Sequence, residues 1–325
     1  MAASISVISA ISCWLILFML VPLLRRRLLD HPNSRSSHKR PTPRGGGVAF
    51  VLVAVLSNLI PFHSNAWSPI PTLTLVAIPL ALIGLLDDCF NLPSGLRYVI
   101  QLLTALGLLY VSPLIVDLKN NIPFFAILIT VAVFLLIIVT AIINFTNFMD
   151  GIDGLVAGCM TVTLTCAALH LSASTPLWAY VGALIGFLLW NWSPARVFMG
   201  DVGSTFLGAV FAGVVLQTST WTDAFGLLLV ATPLLGDAGL CIPRRLFAGQ
   251  PVFQSHRLHL FQRLHQAGWS HAGISSLYIT ATAMLALAFL LDGWLSVICL
   301  AVVIVLIGLW LDQYIAVSFA TASKG

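Results

Sequence analysis

From Ile122 to Ile143 the chain runs through 22 residues whose only polar side chains are Thr130 and Thr140, then turns abruptly into NFTNFMDGID, residues 144 to 153. Apolar runs of this kind recur along the sequence and can be read against the roughly 20 residues that a helix needs to cross the hydrocarbon core. They predict eleven spans, near 3–24, 46–62, 70–86, 97–115, 122–143, 154–171, 177–190, 202–219, 222–238, 274–291 and 294–316. Losing the second, the seventh or the break around residues 217–223 would leave ten and reverse the sidedness of everything beyond it. Basic residues decide between these counts, because cytoplasmic loops collect Lys and Arg. Of the 15, 13 follow odd-numbered spans: Arg25, Arg26, Arg27, Arg35, Lys39, Arg40, Arg44, Arg97, Arg196, Arg244, Arg245, Arg257 and Arg263. Eleven spans therefore stand, with the N-terminus outside and the C-terminus in the cytoplasm.

Composition agrees: 59% of the residues are hydrophobic and 8% charged, with a mean hydropathy of +1.01, against roughly 25% charged in soluble domains. The first apolar run has no basic residue before it and an Arg triplet after it, which argues for an anchor rather than a cleaved signal peptide. The six Cys, at 13, 89, 159, 166, 241 and 299, lie mostly inside spans and form no CxxC pair, so neither a disulfide framework nor a zinc site is indicated. The expected fold is all-α, a single polytopic membrane domain over residues 1–325. Its cytoplasmic loops are expected at 25–45, 87–97, 144–154, 191–202 and 239–273.

All 11 acidic residues are Asp. Seven of them, Asp30, Asp87, Asp88, Asp150, Asp153, Asp201 and Asp237, fall at the cytoplasmic ends of spans, so separate loops can converge on one mouth. In the first loop Arg25 to Arg27 suit lipid headgroups, while Lys39, Arg40 and Arg44, beside a Gly45-Gly46-Gly47 run, suit either headgroups or a phosphate. In the second, the adjacent Asp87 and Asp88 repel one another and need a cation or donors to stay ionised, unless they form a plain solvated helix end. Arg97 either holds an anion or anchors the next helix.

In the third loop Asn147, Asp150 and Asp153 would make one stripe on a helix, whereas Gly151 and Gly154 favour a turn. Helix capping accounts for one Asp, but not for two Asn and two Asp where a buried polar group is costly. In the fourth loop Asp201 or Ser204 is either an N-cap or part of a cation site with Asn191 upstream. Magnesium explains these loops jointly, since it takes few protein oxygens and completes its octahedron with water and substrate phosphates. The fifth loop has four Arg, four His and no acid. On a helix His256, His259 and Arg263 would share one face, with Leu258, Phe261 and Leu264 on another, as in an interfacial segment. A zinc site is disfavoured because residues 242–273 hold no Cys or carboxylate, and anion binding suits Arg and His better.

In this order and spacing, DD at 87–88, NFTNFMDGIDG at 144–154, NWSPARVFMGDVGS at 191–204 and SHRLHLFQRL at 255–264 resemble the polyprenyl-phosphate N-acetylhexosamine-1-phosphate transferases. The resemblance runs from His38 to about Trp269. It implies a bacterial inner-membrane enzyme that moves sugar 1-phosphate from a UDP-linked amino sugar to undecaprenyl phosphate, releases UMP and works with Mg²⁺, or with Mn²⁺ in its place. It implies Asp201 as principal metal ligand with Asn147 beside it, and Asp150 and Asp153 shaping the metal and nucleotide pocket. Asp87 and Asp88 would address the lipid phosphate, with Arg97 pairing to it. Lys39, Thr42, Asn144 and Asn191 correspond to positions around nucleotide or metal, and His256, Arg257, His259 and Arg263 to a loop gripping diphosphate and sugar.

The chemistry is reasonable for phosphoryl transfer, which asks mainly for positioning and charge neutralisation. A phosphate monoester, with its second pKa near ~6, needs no strong base, and either direct attack or a phospho-Asp intermediate is compatible with the residues. The fifth loop lacks the triple His expected of the muropeptide enzymes, which favours an O-antigen or capsule initiator using a simpler UDP-HexNAc. The implied partners are the two substrates and the bilayer, with no nucleic acid, and a homodimer stays open. The competing reading is a transporter of an anionic solute. Transporters place their polar groups near the midplane in repeated halves, whereas here the acids gather at span ends.

Overall fold

The computed structural model describes residues 2–32, 36–38, 40–59, 70–121, 124–172, 175–250 and 256–323. Lys39, and with it Arg35 and Lys324, lies outside them. In order, the described elements are α1 (Ala2–Arg27), β1 (Leu29–Asp30), β2 (Thr42–Pro43), α2 (Gly47–Leu59), α3 (Ile70–Phe90), α4 (Ser94–Tyr110), α5 (Pro113–Asn121) and α6 (Phe125–Phe148). They continue with α7 (Leu155–His170), α8 (Thr175–Asn191), α9 (Asp201–Leu216), α10 (Trp221–Val230), α11 (Thr232–Phe247), α12 (Leu260–Gln266), α13 (His271–Asp292), α14 (Trp294–Tyr314) and α15 (Phe319–Ala322).

The protein is all-α, and each of the eleven expected segments holds a helix or a bent pair. By length and composition α1, α3, α6, α13 and α14 can each cross a membrane, and the bent pairs α4/α5 and α10/α11 bring the number to seven. The remaining apolar helices, α2, α7, α8 and α9, are shorter and lie largely inside the bundle. α9 is the centre: every residue from Val202 to Leu216 is buried, with α3, α6, α2, α4, α7 and α10 packed around it. At about 1.5 Å per residue it is only ~24 Å long. The outer helices instead present apolar side chains such as Phe18, Met19, Phe134, Ile137, Leu306 and Trp310 to the surroundings, as lipid-facing surfaces do.

Both bends have local causes. Pro233 stands in the first turn of α11, where a residue without an N–H is tolerated, and α10 and α11 meet at 81°. Between α4 and α5, bent by 64°, the interrupted backbone is stitched to the far end of α9. Ser112 Oγ donates to Leu216 O at 2.9 Å and Gln217 Nε2 to Val111 O at 3.1 Å, so the break leaves fewer orphaned groups in the apolar interior.

Three boundaries differ from those expected. α6 continues to Phe148, so Asn144 and Asn147 ride on a helix and the turn is confined to residues 149–154. α11 runs to Phe247, well into the expected fifth loop. Beyond α11, among the described residues, helix resumes at Leu260, because Asp237 accepts the N–H groups of Leu260 and Phe261 at 2.8 and 3.1 Å and so fixes the start of α12. His256 therefore precedes the helix and His259 is its N-cap. Leu258, Phe261 and Leu264 are buried in the protein rather than spread on its surface.

The first loop is likewise tied down. β1 and β2 pair antiparallel, and Phe198 N–H then donates to Pro43 O at 2.8 Å while Gly46 and Gly47 donate to Phe198 O and Met199 O, both at 2.9 Å. This ladder seats Gly47 on Gly203, where an added Cβ would lie 2.5 Å from the Gly203 Cα. Backbone cannot give way there as a side chain can. Gly47→Ala is expected to destabilise by about 1–3 kcal/mol, the usual cost of overpacking, read as a lower unfolding midpoint of the detergent-solubilised protein.

Candidate active site

The N-terminus of α9 organises the site. Gly200 precedes it with φ +75° and supplies no side-chain cap. The cap comes instead from Asp88 on α3, whose carboxylate accepts the N–H groups of Asp201 and Val202, each at 3.2 Å. A carboxylate here meets free N–H groups and the positive end of the helix dipole. Asp88 is buried, and its own backbone carbonyl accepts Arg44 Nη2 at 2.6 Å. Gly200 leaves room for this: a Cβ there would stand 2.5 Å from Asp88 Oδ2.

Since Asp88 does the capping, Asp201 is released for other contacts. Its Oδ2 accepts Arg97 Nη1 at 2.9 Å and its Oδ1 accepts Asn147 Nδ2 at 2.9 Å, while Asn147 also donates to Ser204 Oγ at 2.8 Å. The same Arg97 nitrogen reaches Asp87 Oδ2 at 2.7 Å, and Asp87 Oδ1 accepts Leu92 N–H at 2.6 Å. One guanidinium thus bridges two carboxylates from different helices. Asp150, in the turn after α6, takes a hydrogen bond from Gly200 N–H, yet burial and then the Asp201 and Asp88 carboxylates push it up to about 8. Negative charge is crowded here beyond what Arg97 and Arg44 offset. Beside it a crevice of about 50 Å³ is lined by Arg97, Tyr98, Gln101, Asn144, Asn147, Phe148 and Asp201, with Asn144 Nδ2 bound to Gln101 Oε1 at 2.8 Å.

A second layer holds the turn and the outer loops. Asp153 Oδ2 accepts Ala195 N–H at 3.1 Å, and its Oδ1 lies 3.1 Å from His271 Nδ1. His271 Nε2 in turn is 3.3 Å from Ser37 O, so this side chain joins the third, fifth and first loops. Asn191 accepts Gly154 N–H and donates to Val197 O, both at 3.0 Å. Thr42 is buried, with its hydroxyl bound to Arg40 O.

The fifth-loop residues form a neighbouring cluster. Phe148 links it to the crevice, its ring 6.5 Å from that of His259. His259 stacks on His256, and burial alone would lower both. Asp237 nevertheless holds His259 up at about 9, while burial and then the His259 and Arg245 charges keep His256 down at about 3. Arg263 is buried, donating to Leu258 O and Val317 O and pairing with Asp312, which also takes Arg244 at 2.7 Å. Arg257 is half-buried beside them.

The expected residues therefore gather in two adjoining groups. Around Asp201 stand Asp87, Asp88, Asp150, Arg97, Asn144 and Asn147; around Asp237 stand His256, His259 and Arg263, with Arg257 in the same segment, while Asp153, Asn191 and Thr42 brace the loops. Sequence reasoning passed over Gln101 and His271, and gave Asp237 and Asp312 no partner. A polar Gln inside an apolar span was a usable sign; nothing in the sequence pairs Arg263 with Asp312, 49 residues apart.

For Asp153, burial works against ionisation, but the His271 contact and the Ala195 N–H outweigh it and hold the carboxyl below its usual range. Its contribution is full above the unfolded value near ~3.9 and is lost as pH falls through the lower folded value. Asp153→Asn should therefore lower the unfolding midpoint at pH 7, and the gap to wild type should close as the medium is acidified below that range. A gap independent of pH would remove the ionised Asp153 carboxylate from the account.

Residues 70–219, which carry every member of the Asp201 group, match Glycosyl transferase family 4. Over 305 residues the chain is 31% identical to the decaprenyl-phosphate N-acetylglucosaminephosphotransferase of Mycobacterium leprae, covering 78% of this chain and 74% of that protein. It is 26% identical over 328 residues to the Bacillus subtilis protein named Probable undecaprenyl-phosphate N-acetylglucosaminyl 1-phosphate transferase, covering 92% and 89%. The phospho-N-acetylmuramoyl-pentapeptide-transferase of Symbiobacterium thermophilum is 29% identical over 311 residues, covering 85% and 90%. Likeness of this extent, centred on the segment that builds the crevice, makes the chain a member of glycosyl transferase family 4, among the polyprenyl-phosphate N-acetylhexosamine-1-phosphate transferases.

Proposed function

We propose that the protein transfers sugar 1-phosphate from a UDP-N-acetylhexosamine, or a deoxy relative, to undecaprenyl phosphate, releasing UMP and forming the lipid diphosphate sugar that starts an O-antigen, capsule or other envelope polysaccharide. The observation that carries this reading is the bridged carboxylate group at the N-terminus of α9. Asp87, Asp88, Asp150 and Asp201 oppose too few cations, and a divalent ion is the missing charge. The donor set fits magnesium, which prefers carboxylate oxygens and keeps open positions for water and phosphate. Asp201 would hold it, with Asn147 alongside; when bound, it neutralises charge on the donor diphosphate.

The chain's own residues supply the rest. Arg97 offers a guanidinium to the acceptor phosphate between Asp87 and Asp201, and Asp87 orients that phosphate rather than deprotonating it, since a monoester is largely dianionic at neutral pH. Asn144 and Gln101 fix the crevice wall. His256 and His259 flank Arg257, which faces the donor phosphates and sugar, and Arg263 fixes the loop that carries them. An apolar cavity of about 1030 Å³ beside α11, α13 and α14, lined by Leu240, Phe247, Met284, Ile304 and Ile307 among others, suits an isoprenoid chain. The absence of a triple His in SHRLHLFQRL favours a simple N-acetylhexosamine over a muropeptide. The bias of basic residues supports an active site on the cytoplasmic face of the inner membrane, with the N-terminus outside.

Membranes containing the protein should convert radiolabelled UDP-N-acetylhexosamine and undecaprenyl phosphate into a lipid diphosphate sugar only with Mg²⁺ or Mn²⁺ present. Undiminished turnover in excess EDTA would reject the metal. Asp201→Asn should lower turnover by at least 10²-fold while the protein still inserts, the scale seen when a key electrostatic group is removed. A panel of UDP-sugars, with the lipid product identified by mass, tests the donor class. Product from the muropeptide nucleotide but not from simple hexosamines would overturn that part.

A further inference from the structure

Residues 242–273, which carry the fifth-loop histidines, hold no Cys or carboxylate, yet the fold brings both to them. Cys241 arrives from α11 and, with His256 and His259, places one ligand atom per residue within 4.8 Å of the others. We propose that Cys241, His256 and His259 form a second metal site, selective for a zinc-type ion and separate from the carboxylate group at α9. This goes beyond the transfer reaction and does not depend on it.

The chemistry of the donors sets the choice of ion. A thiolate and two imidazoles are ligands for zinc and poor ones for magnesium. His256 Nδ1 already accepts Leu258 N–H at 3.2 Å, which leaves its Nε2 as the open nitrogen. His259 is 2% exposed, and its Nδ1 is buried without a hydrogen-bond partner. That nitrogen stands 3.6 Å from Asp237 Oδ1. Metal-bound histidines commonly turn their second nitrogen to a carboxylate, which fixes the ring and raises its basicity.

Asp237 is anchored for that part by three donors, Leu260 N–H, Phe261 N–H and the Tyr278 hydroxyl, at 2.8, 3.1 and 2.7 Å. Ligand atoms around tetrahedral zinc, at about 2.0–2.3 Å from the ion, stand roughly 3.3–3.8 Å apart. Closing the site therefore asks for side-chain movements of about an ångström, with no rearrangement of helices. Cys241 and Asp237 also line the large apolar cavity. Occupied, the site would clip the residues before α12 to α11 beside the crevice.

The test uses the full-length protein in detergent, stripped with chelator, loaded with ZnCl₂ alone, desalted and assayed for metal by mass spectrometry, then repeated with Co²⁺ alone. Wild type and Asp201→Asn should each retain one zinc per chain and show the thiolate-to-cobalt charge-transfer absorption. Cys241→Ser should lose that absorption and bind zinc at least tenfold more weakly. If Cys241→Ser does not yield folded protein, His256→Ala, at a position less buried than Cys241, should show the same tenfold loss. Substoichiometric zinc in wild type, cobalt binding without the thiolate band, or equal zinc affinity in either variant would overturn the proposal. Loss of zinc in Asp201→Asn with retention in Cys241→Ser would overturn it as well, by assigning the ion to the carboxylates.

Discussion

The capping of a wholly buried helix by a carboxylate from another helix is the constraint on which the site depends. α9 has its N-terminal N–H groups facing the loops, with no cap of its own, and Asp88 of α3 satisfies two of them. An uncapped end inside an apolar bundle would leave those donors unpaired at a cost of about 1–3 kcal/mol each. By taking that place, Asp88 positions α3 against α9 and frees Asp201 to meet Arg97 and Asn147. The clustering of like charge is thereby built into the packing of the bundle, and the bundle must answer it with cations.

The answer comes from elements distant in sequence. Arg97, at the start of α4, bridges Asp87 and Asp201, and Arg44 of the first loop holds the Asp88 backbone. The loop carrying Arg44 is itself fixed by backbone hydrogen bonds to residues 198 and 199, which allows Gly47 to rest on Gly203. Short, small-residue helices inside and long apolar helices outside serve one end: they let five loops meet at one mouth while lipid-facing surfaces stay apolar. The same logic runs through the fifth loop, where Asp237 starts α12 and holds His259, and where Asp312 neutralises the buried Arg263.

Much of this was legible in the order of residues. Apolar runs marked the helices because a hydrocarbon solvent demands them, and the parity of Asp and basic residues grouped the loops because charge is excluded from the core. NFTNFMDGID announced the third loop, although α6 continues five residues into it, since Asn144 and Asn147 find partners on α4 and α9 and need not leave the helix. The inward fold of residues 258–264 was hidden, because a helical pattern with one apolar face reads the same whether that face meets lipid or protein.

The sequence by itself therefore determined that this is a helical membrane protein with most of its acids gathered at one end, since solvation energy is a property of residue type and run length. Only the tertiary structure decided which carboxylate caps, which one is left for a cation, and that Cys241 stands beside two histidines. Those assignments depend on distances of a few ångströms between segments tens of residues apart, and no local pattern encodes them.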